Sequence, residues 1–221
     1  MMYSMRFAMA VAFVYASGAA GAVWHVHVNS AAQSPDGVSW ATAYRTIQEG
    51  IDAAFGAGGG EVWVAAGTYN ESRASNESNS LLLKSGVAVY GGFAGGETAR
   101  NQRDWAAHAT IIDGNTQGGR AYHVVIGSDN ATLDGFTVTG GSANGPSPHI
   151  RGGGIYNVSA SPAIANCTIA GNTAQSDGGG IYNSNASPSI VNCVVSGNRV
   201  VGTGRGGGIY NSSNASPAIE S

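Results

Sequence analysis

The hexapeptide Gly-Gly-Gly-Ile-Tyr-Asn occurs at residues 152–157, 178–183 and 206–211, and no other feature restricts the fold of this chain as strongly. The spacings, 26 and then 28 residues, lie in the range that marks solenoids and arrays. The flanking sequence repeats in step. Residues 162–172 read Pro-Ala-Ile-Ala-Asn-Cys-Thr-Ile-Ala-Gly-Asn, residues 188–198 read Pro-Ser-Ile-Val-Asn-Cys-Val-Val-Ser-Gly-Asn, and a third copy starts at Pro217. Each unit contains short β-branched runs broken by Gly, Asn, Ser and Pro, the pattern of short strands and sharp turns.

Units stacked in register place each strand about 4.8 Å above its equivalent, so like residues line up along an axis. The expectation is an all-β parallel β-helix. Ile164, Ile190 and Ile219 form one buried column, Cys167 and Cys193 a second, Ile169 and Val195 a third. Asn172 with Asn198, and Asn157 with Asn183 and Asn211, form amide ladders that satisfy backbone groups at the turns. The glycine runs suit corners of positive φ or close backbone approach.

Residues 1–22 read as a secretory signal, with Arg6 before the apolar run 7–15 and Ala20-Gly21-Ala22 as the cleavage site. That run is too short to span a bilayer, which disfavours a membrane anchor. The formal charge is −3, and loss of Arg6 makes it more negative, so nucleic acid is not an expected partner. Cys167 and Cys193 occupy equivalent positions, so their β-carbon vectors run parallel. A bridge between them would be strained, and a buried free-thiol ladder is favoured over a disulfide.

Residues 23–80 read as an N-terminal cap and first coil, and residues 81–221 as β-helix coils left incomplete. Trp24 to Asn29 alternates as a strand, with His25 and His27 on one outward face and no third ligand to make a metal site. Tyr44, Ile47, Ile51 and Ala54 recur at helical spacing, which predicts one amphipathic helix covering the open N-terminal end of the solenoid. The polar stretch 70–80 reads as a surface loop, 91–105 as an excursion from the coil, and 142–149 as an insertion. Leu133, Phe136 and Val138 carry the phase of Ile164, Cys167 and Ile169 one coil back. The break at Ser221 predicts an unpaired edge and self-association through it unless further coils follow.

Several stretches together carry a family resemblance: Gly37-Val38-Ser39-Trp40, Ile47-Gln48, Val62 to Tyr69, Tyr90 to Phe93 and Gln102 to Trp105. They resemble the N-terminal part of exported bacterial right-handed parallel β-helix proteins of the pectate-lyase-like superfamily. The later coils are similar to polymorphic outer membrane protein repeats, with Gly153-Gly154-Ile155 standing for the Gly-Gly-Ala-Ile motif. Ile169 to Asn172 stands for Phe-x-x-Asn with the aromatic replaced. The resemblance implies a right-handed β-helix that is secreted, on the cell surface or associated with the outer membrane. It leaves activity open, because the superfamily includes lyases, hydrolases, adhesins and scaffolds.

A lyase of that kind would need carboxylates to hold Ca2+ and a basic residue to take a sugar proton; a hydrolase would need paired carboxylates. Asp113 and Asp134 share the context Ala-Thr-(Ile)-Ile/Leu-Asp-Gly and are expected on successive coils within about 5–7 Å, with Arg120, His123 and Arg151 near them. The competing reading, Asp-Gly as a plain turn pair, carries more weight. For binding, the period of two that buries Ile155, Ile181 and Ile209 turns Tyr156, Tyr182 and Tyr210 outward as an aromatic column. Such a column could hold a polysaccharide or cell-surface glycan, or serve only to pack the sheet. The sequence therefore points to an exported β-helix scaffold, adhesin-like or carbohydrate-binding and without cofactor. The alternative is a polysaccharide lyase or glycoside hydrolase that uses Asp113 and Asp134 with Arg120 or His123, and Ca2+ if a lyase.

Overall fold

The alternation Ile-Tyr-Asn decides which way each wall faces: Ile155, Asn157, Ile181 and Asn183 are all fully buried, with a tyrosine between each pair. A computed structural model describes residues 21–74 and 78–220. The predicted leader therefore lies outside the described residues except for Gly21 and Ala22.

The chain winds into a parallel β-solenoid of about five turns. The first wall is a seven-stranded sheet running from Val23–Val26 through Gly60–Ala65, Val87–Phe93, Thr132–Asp134, Ala163–Ala165 and Ser189–Val191 to Ala218–Glu220. The second wall is five-stranded and contains Gly67–Tyr69, Thr110–Asp113, Thr137–Thr139, Thr168–Ala170 and Val194–Ser196. The third comprises Leu81–Leu82, Val125–Ile126, Ile155–Val158, Ile181–Ser184 and Ile209–Asn211. A smaller three-stranded ladder, Ser142–Ala143, Thr173–Ala174 and Arg199–Val200, bridges the second wall to the third.

The register is the one the repeats dictate. Ile164 pairs with Ile190 and Ile190 with Ile219, while Leu133 pairs with Ile164 and Val138 with Ile169. Inside, Leu133, Phe136, Val138, Ile155, Ile164, Cys167, Ile169, Ile181 and Ile190 belong to one continuous core. Cys167 and Cys193 are free thiols on that column, the first buried and the second half-buried.

Both amide ladders form. Asn157 Nδ2 donates to Asn183 Oδ1 at 2.9 Å and Asn183 Nδ2 to Asn211 Oδ1 at 2.8 Å; Asn172 Nδ2 reaches Asn198 Oδ1 at 3.1 Å. The glycine triplet has two separate causes. Gly152, Gly178 and Gly206 all sit at φ +66°, where an L side chain is strained. Gly154 sits in ordinary backbone but faces the next coil so closely that a β-carbon would lie 2.6 Å from the Gly180 carbonyl oxygen.

Helix α1 (Ile47–Gly56) begins at a capping box, with Thr46 Oγ1 accepting from the Glu49 amide at 3.2 Å and Glu49 Oε2 accepting from the Thr46 amide at 3.0 Å. It buries Ile47, Gly50, Ile51 and Ala54. A β-carbon at Gly50 would come within 2.7 Å of the Val26 side chain, so the glycine lets the helix lie directly on the first strands. Gln48 closes the sheet edge. Its Oε1 accepts from the Leu82 amide at 2.9 Å and its Nε2 donates to the Leu82 carbonyl at 3.3 Å, replacing a neighbouring strand at the outermost position of the third wall.

Two expectations need correction. The polar stretch 70–80 is not simply a surface loop, since Arg73, Ser78, Asn79 and Ser80 are buried. Several of its polar groups bond one another and the next coil: the Arg73 amide donates to Asn79 Oδ1 at 2.8 Å, Asn79 Nδ2 to Thr116 Oγ1 at 2.6 Å, and Arg73 Nη2 to the Tyr69 carbonyl at 3.0 Å, while Arg73 Nε lies 3.5 Å from Glu71. The excursion expected from Gly91 starts later. Gly91, Gly92 and Phe93 stay in their strand, and a register shift opposite Trp63 and Ala65 absorbs the irregularity.

Candidate functional site

The third wall carries the most regular outward feature of the molecule. Tyr156 pairs with Tyr182 and Tyr182 with Tyr210 in register. Their rings stack with centroids 5.6 and 5.9 Å apart and planes inclined by 12° and 10°. Tyr156 and Tyr182 therefore give both faces to neighbouring rings and offer a partner their edges, whereas Tyr210 is stacked on one face. Packing is correspondingly tight: Tyr182 is buried, and Tyr156 and Tyr210 are half-buried. Burial, followed by the neighbouring Tyr182, raises the Tyr156 phenol above its ordinary pKa.

His123 continues the column upward, its ring 4.4 Å from that of Tyr156 at 22°. It is fully buried, and its Nδ1 donates to the Gly152 carbonyl at 2.9 Å, which leaves Nε2 to accept from His149 Nδ1 at 3.0 Å. Burial pushes His123 down to about 4, so at neutral pH it is an uncharged hydrogen-bond relay. Tyr122 stacks on His149 at 5.5 Å. Beside the column, the Arg151 guanidinium lies 5.7 Å from the Tyr182 ring centre and pairs with Asp177 at 3.2 Å. Asp177 Oδ1 accepts from the Arg205 amide at 2.9 Å, tying this edge to the next coil.

The structure does not place the two predicted carboxylates on one ladder. Asp134 belongs to the first wall, opposite Tyr90 and Ala165, whereas Asp113 ends a strand of the second, opposite Thr139. The shared Asp-Gly context marks two different corners of the coil, so the match in sequence is not a match in phase. Asp134 is 4% exposed and fully engaged, with Oδ2 bound by Arg103 Nη2 at 2.8 Å and Oδ1 by Asn166 Nδ2 at 2.8 Å. Asp113 Oδ1 accepts from the Asn115 amide at 2.8 Å, as a turn aspartate does. Arg120 donates from Nε to the Gly140 carbonyl at 2.9 Å at that same corner. Of the four catalytic candidates, then, Asp113 and Arg120 share a corner, while His123 joins the tyrosines.

Repeat reasoning missed Tyr122 and His149, which lie outside the repeated unit, and set Arg151 beside the carboxylates rather than beside Tyr182. Only the adjacency of His149 to the repeat signalled that the insertion could fold back on the column. Among the described residues, no group of three or more His, Cys, Asp or Glu side chains could hold a metal ion.

Residues 31–220 match a family described as a protein of unknown function, DUF1565. The chain belongs to the DUF1565 family. This DUF1565 chain is also similar to two curated proteins of Azotobacter vinelandii, mannuronan C5-epimerase AlgE5 and mannuronan C5-epimerase AlgE2. Each is 37% identical over 101 residues, which is 45% of this chain and 10% of the relative. Most of each epimerase thus has no counterpart in the matched stretch. No solved structure matches the chain.

Proposed function

We propose that this protein is an exported or cell-surface β-solenoid scaffold that binds a polysaccharide along the column formed by Tyr156, Tyr182 and Tyr210. The carrying observation is the register of three identical side chains on three successive coils. A surface that repeats along one axis suits a ligand that repeats along one axis, since each sugar added meets the same phenol edge as the one before. Arg151 beside Tyr182 offers guanidinium donors on this edge, for which an acidic chain would compete with its present partner Asp177. The names of the two curated relatives, which act on mannuronan, support a uronate polymer as the first ligand to try. Export is supported by the leader-like arrangement of Arg6, the apolar run after it and Ala20-Gly21-Ala22.

The test is a glycan array followed by titration with mannuronate oligosaccharides of increasing length. Affinity rises with each added sugar up to the length of the column, and a Tyr156→Ala, Tyr182→Ala, Tyr210→Ala triple variant loses at least tenfold. Length-independent binding, or full affinity in a folded triple variant, would sink the proposal.

A second reading, polysaccharide cleavage or epimerisation, draws on the His123 and His149 pair at the head of the column. Incubation with polymannuronate and polygalacturonate in the presence of Ca2+ separates the two readings. The scaffold reading expects no unsaturated product and no change in uronate stereochemistry.

A further inference from the structure

A second aromatic cluster lies on the outer face of the first wall, well separated in sequence from the tyrosine column. Trp63 stacks on Phe93 at 4.9 Å and 11°, and Trp40 stands against both Phe93, at 5.7 Å, and His25, at 4.6 Å. Trp40 is fixed by its indole N–H, which donates to the Glu97 carbonyl at 2.9 Å. Two cavities open on this face, and Trp40 lines both of them. One, of about 350 Å³, is bounded by Val23, His25, Trp63 and Glu97; the other, of about 370 Å³, by His27, Asn29 and Ser30. Each is at the small end of the range for ligand sites, roughly 300–1,000 Å³. The two share Trp40 as a common wall and are taken together as the Trp40 groove.

The polar groups around the groove restrict the ligand. No Lys or Arg lines either cavity among the described residues. Glu97 lines the first cavity. Both its oxygens are saturated by backbone amides, Oε1 by Ala94 at 2.6 Å and Oε2 by Gly95 and Gly96 at 3.0 and 2.9 Å. These bonds outweigh partial burial and hold it in the ionised form. His25 donates from Nδ1 to the Gly37 carbonyl at 3.0 Å, so its Nε2 remains an acceptor. An anionic ligand would find no Lys or Arg in the walls, and the nearby Arg100 is engaged by Glu61 and Tyr90. The available partners are aromatic and aliphatic surface together with neutral donors and acceptors from Ser39, Thr98, Asn29 and Ser30. A pyranose with its apolar C–H face against an indole and its hydroxyls toward such groups satisfies both requirements.

We infer that the Trp40 groove is a binding site for an uncharged oligosaccharide, with one pyranose in each cavity and the linkage crossing Trp40. This site is independent of the tyrosine column and takes the opposite charge class of sugar. A chain holding both would join a neutral glycan at its first coils to an acidic polymer along its third wall.

The probes are cellotetraose, mannotetraose and chitotetraose, with tetramannuronate as the acidic control, followed by tryptophan fluorescence and calorimetry on the intact chain. At least one neutral tetrasaccharide binds at millimolar concentration or below and shifts the tryptophan emission, while tetramannuronate leaves that emission unchanged. Trp40→Ala lowers the affinity by about tenfold, the loss expected for one aromatic stacking partner. Because Trp40 also packs internally, Val38→Arg and Ala31→Arg serve as second variants. Both positions are exposed and line the groove, so added bulk there blocks one compartment without touching the core. The tyrosine triple variant keeps full affinity for the neutral sugar. Failure of all three neutral probes, equal binding of tetramannuronate at the tryptophans, or unchanged affinity in both arginine variants would overturn the assignment.

Discussion

His123 shows how one buried side chain sets a pH dependence. Its folded pKa, about 4, is below the ordinary 6.5 because burial disfavours the imidazolium. The unfolded chain therefore binds more protons than the folded one between these values, and stability falls as pH drops from 6.5 to about 4. The gap corresponds to a loss of about 3 kcal/mol by the acid end of the window. Thermal unfolding measured every half unit from pH 7 to pH 4 should show that slope, and His123→Asn should flatten it. Asp177 and Glu97, whose carboxyls are held low by hydrogen bonds that outweigh their burial, act in the same sense at lower pH, each losing its contribution as pH falls below the ordinary carboxylate range. At this scale the sequence was a partial guide. The amide ladders followed from counting, because Asn157, Asn183 and Asn211 recur with the repeat. The imidazole pair did not, because His149 lies in an insertion that no other copy shares.

Among the larger elements, the excursion after Phe93 is held by a cation rather than by apolar packing. Arg103 lies between the rings of Tyr90 and Trp105, at 5.0 and 4.8 Å, and reaches across to Asp134 at 2.8 Å with both partners nearly enclosed. Removing one member of a buried ion pair strands the other, at a typical cost of about 3–5 kcal/mol. Asp134→Asn should lower the unfolding free energy by an amount near that range, read from urea denaturation, while leaving sugar binding at saturation unchanged. The result bears directly on the lyase alternative, in which the same carboxylate would be catalytic. The pairing could not be anticipated from the repeats, since Arg103 comes from an irregular segment and Asp134 from a regular one. What the Asp-Gly motif did indicate was the corner itself, with Gly135 at φ +84°.

For the molecule as a whole, the repeats specified the stacking correctly because a side-chain period of two and a coil period of 26 residues leave one register that puts Ile155, Ile164, Ile181 and Ile190 in the core. They could not specify how much each coil contributes. Ile190 is 1% exposed and Ile219, its partner one coil on, 56%. Ile190→Ala should cost about 2–5 kcal/mol through the cavity it leaves, and Ile219→Ala far less. Equilibrium unfolding of both variants checks this. Hydrogen exchange should follow the same gradient, slowest in the strands around Ile155–Val158 and Ala163–Ala165 and faster toward Ala218–Glu220.

The hydrogen bonds between like asparagines span 26 residues at Asn157 and Asn183, 28 at Asn183 and Asn211, and 29 at Asn185 and Asn214, yet the strands on either side remain in step. The surplus is taken up at bends after Val200 and after Asn211. Those bends are where heredity can write freely. A further turn added at either bend would meet the same mating surface as the one before it.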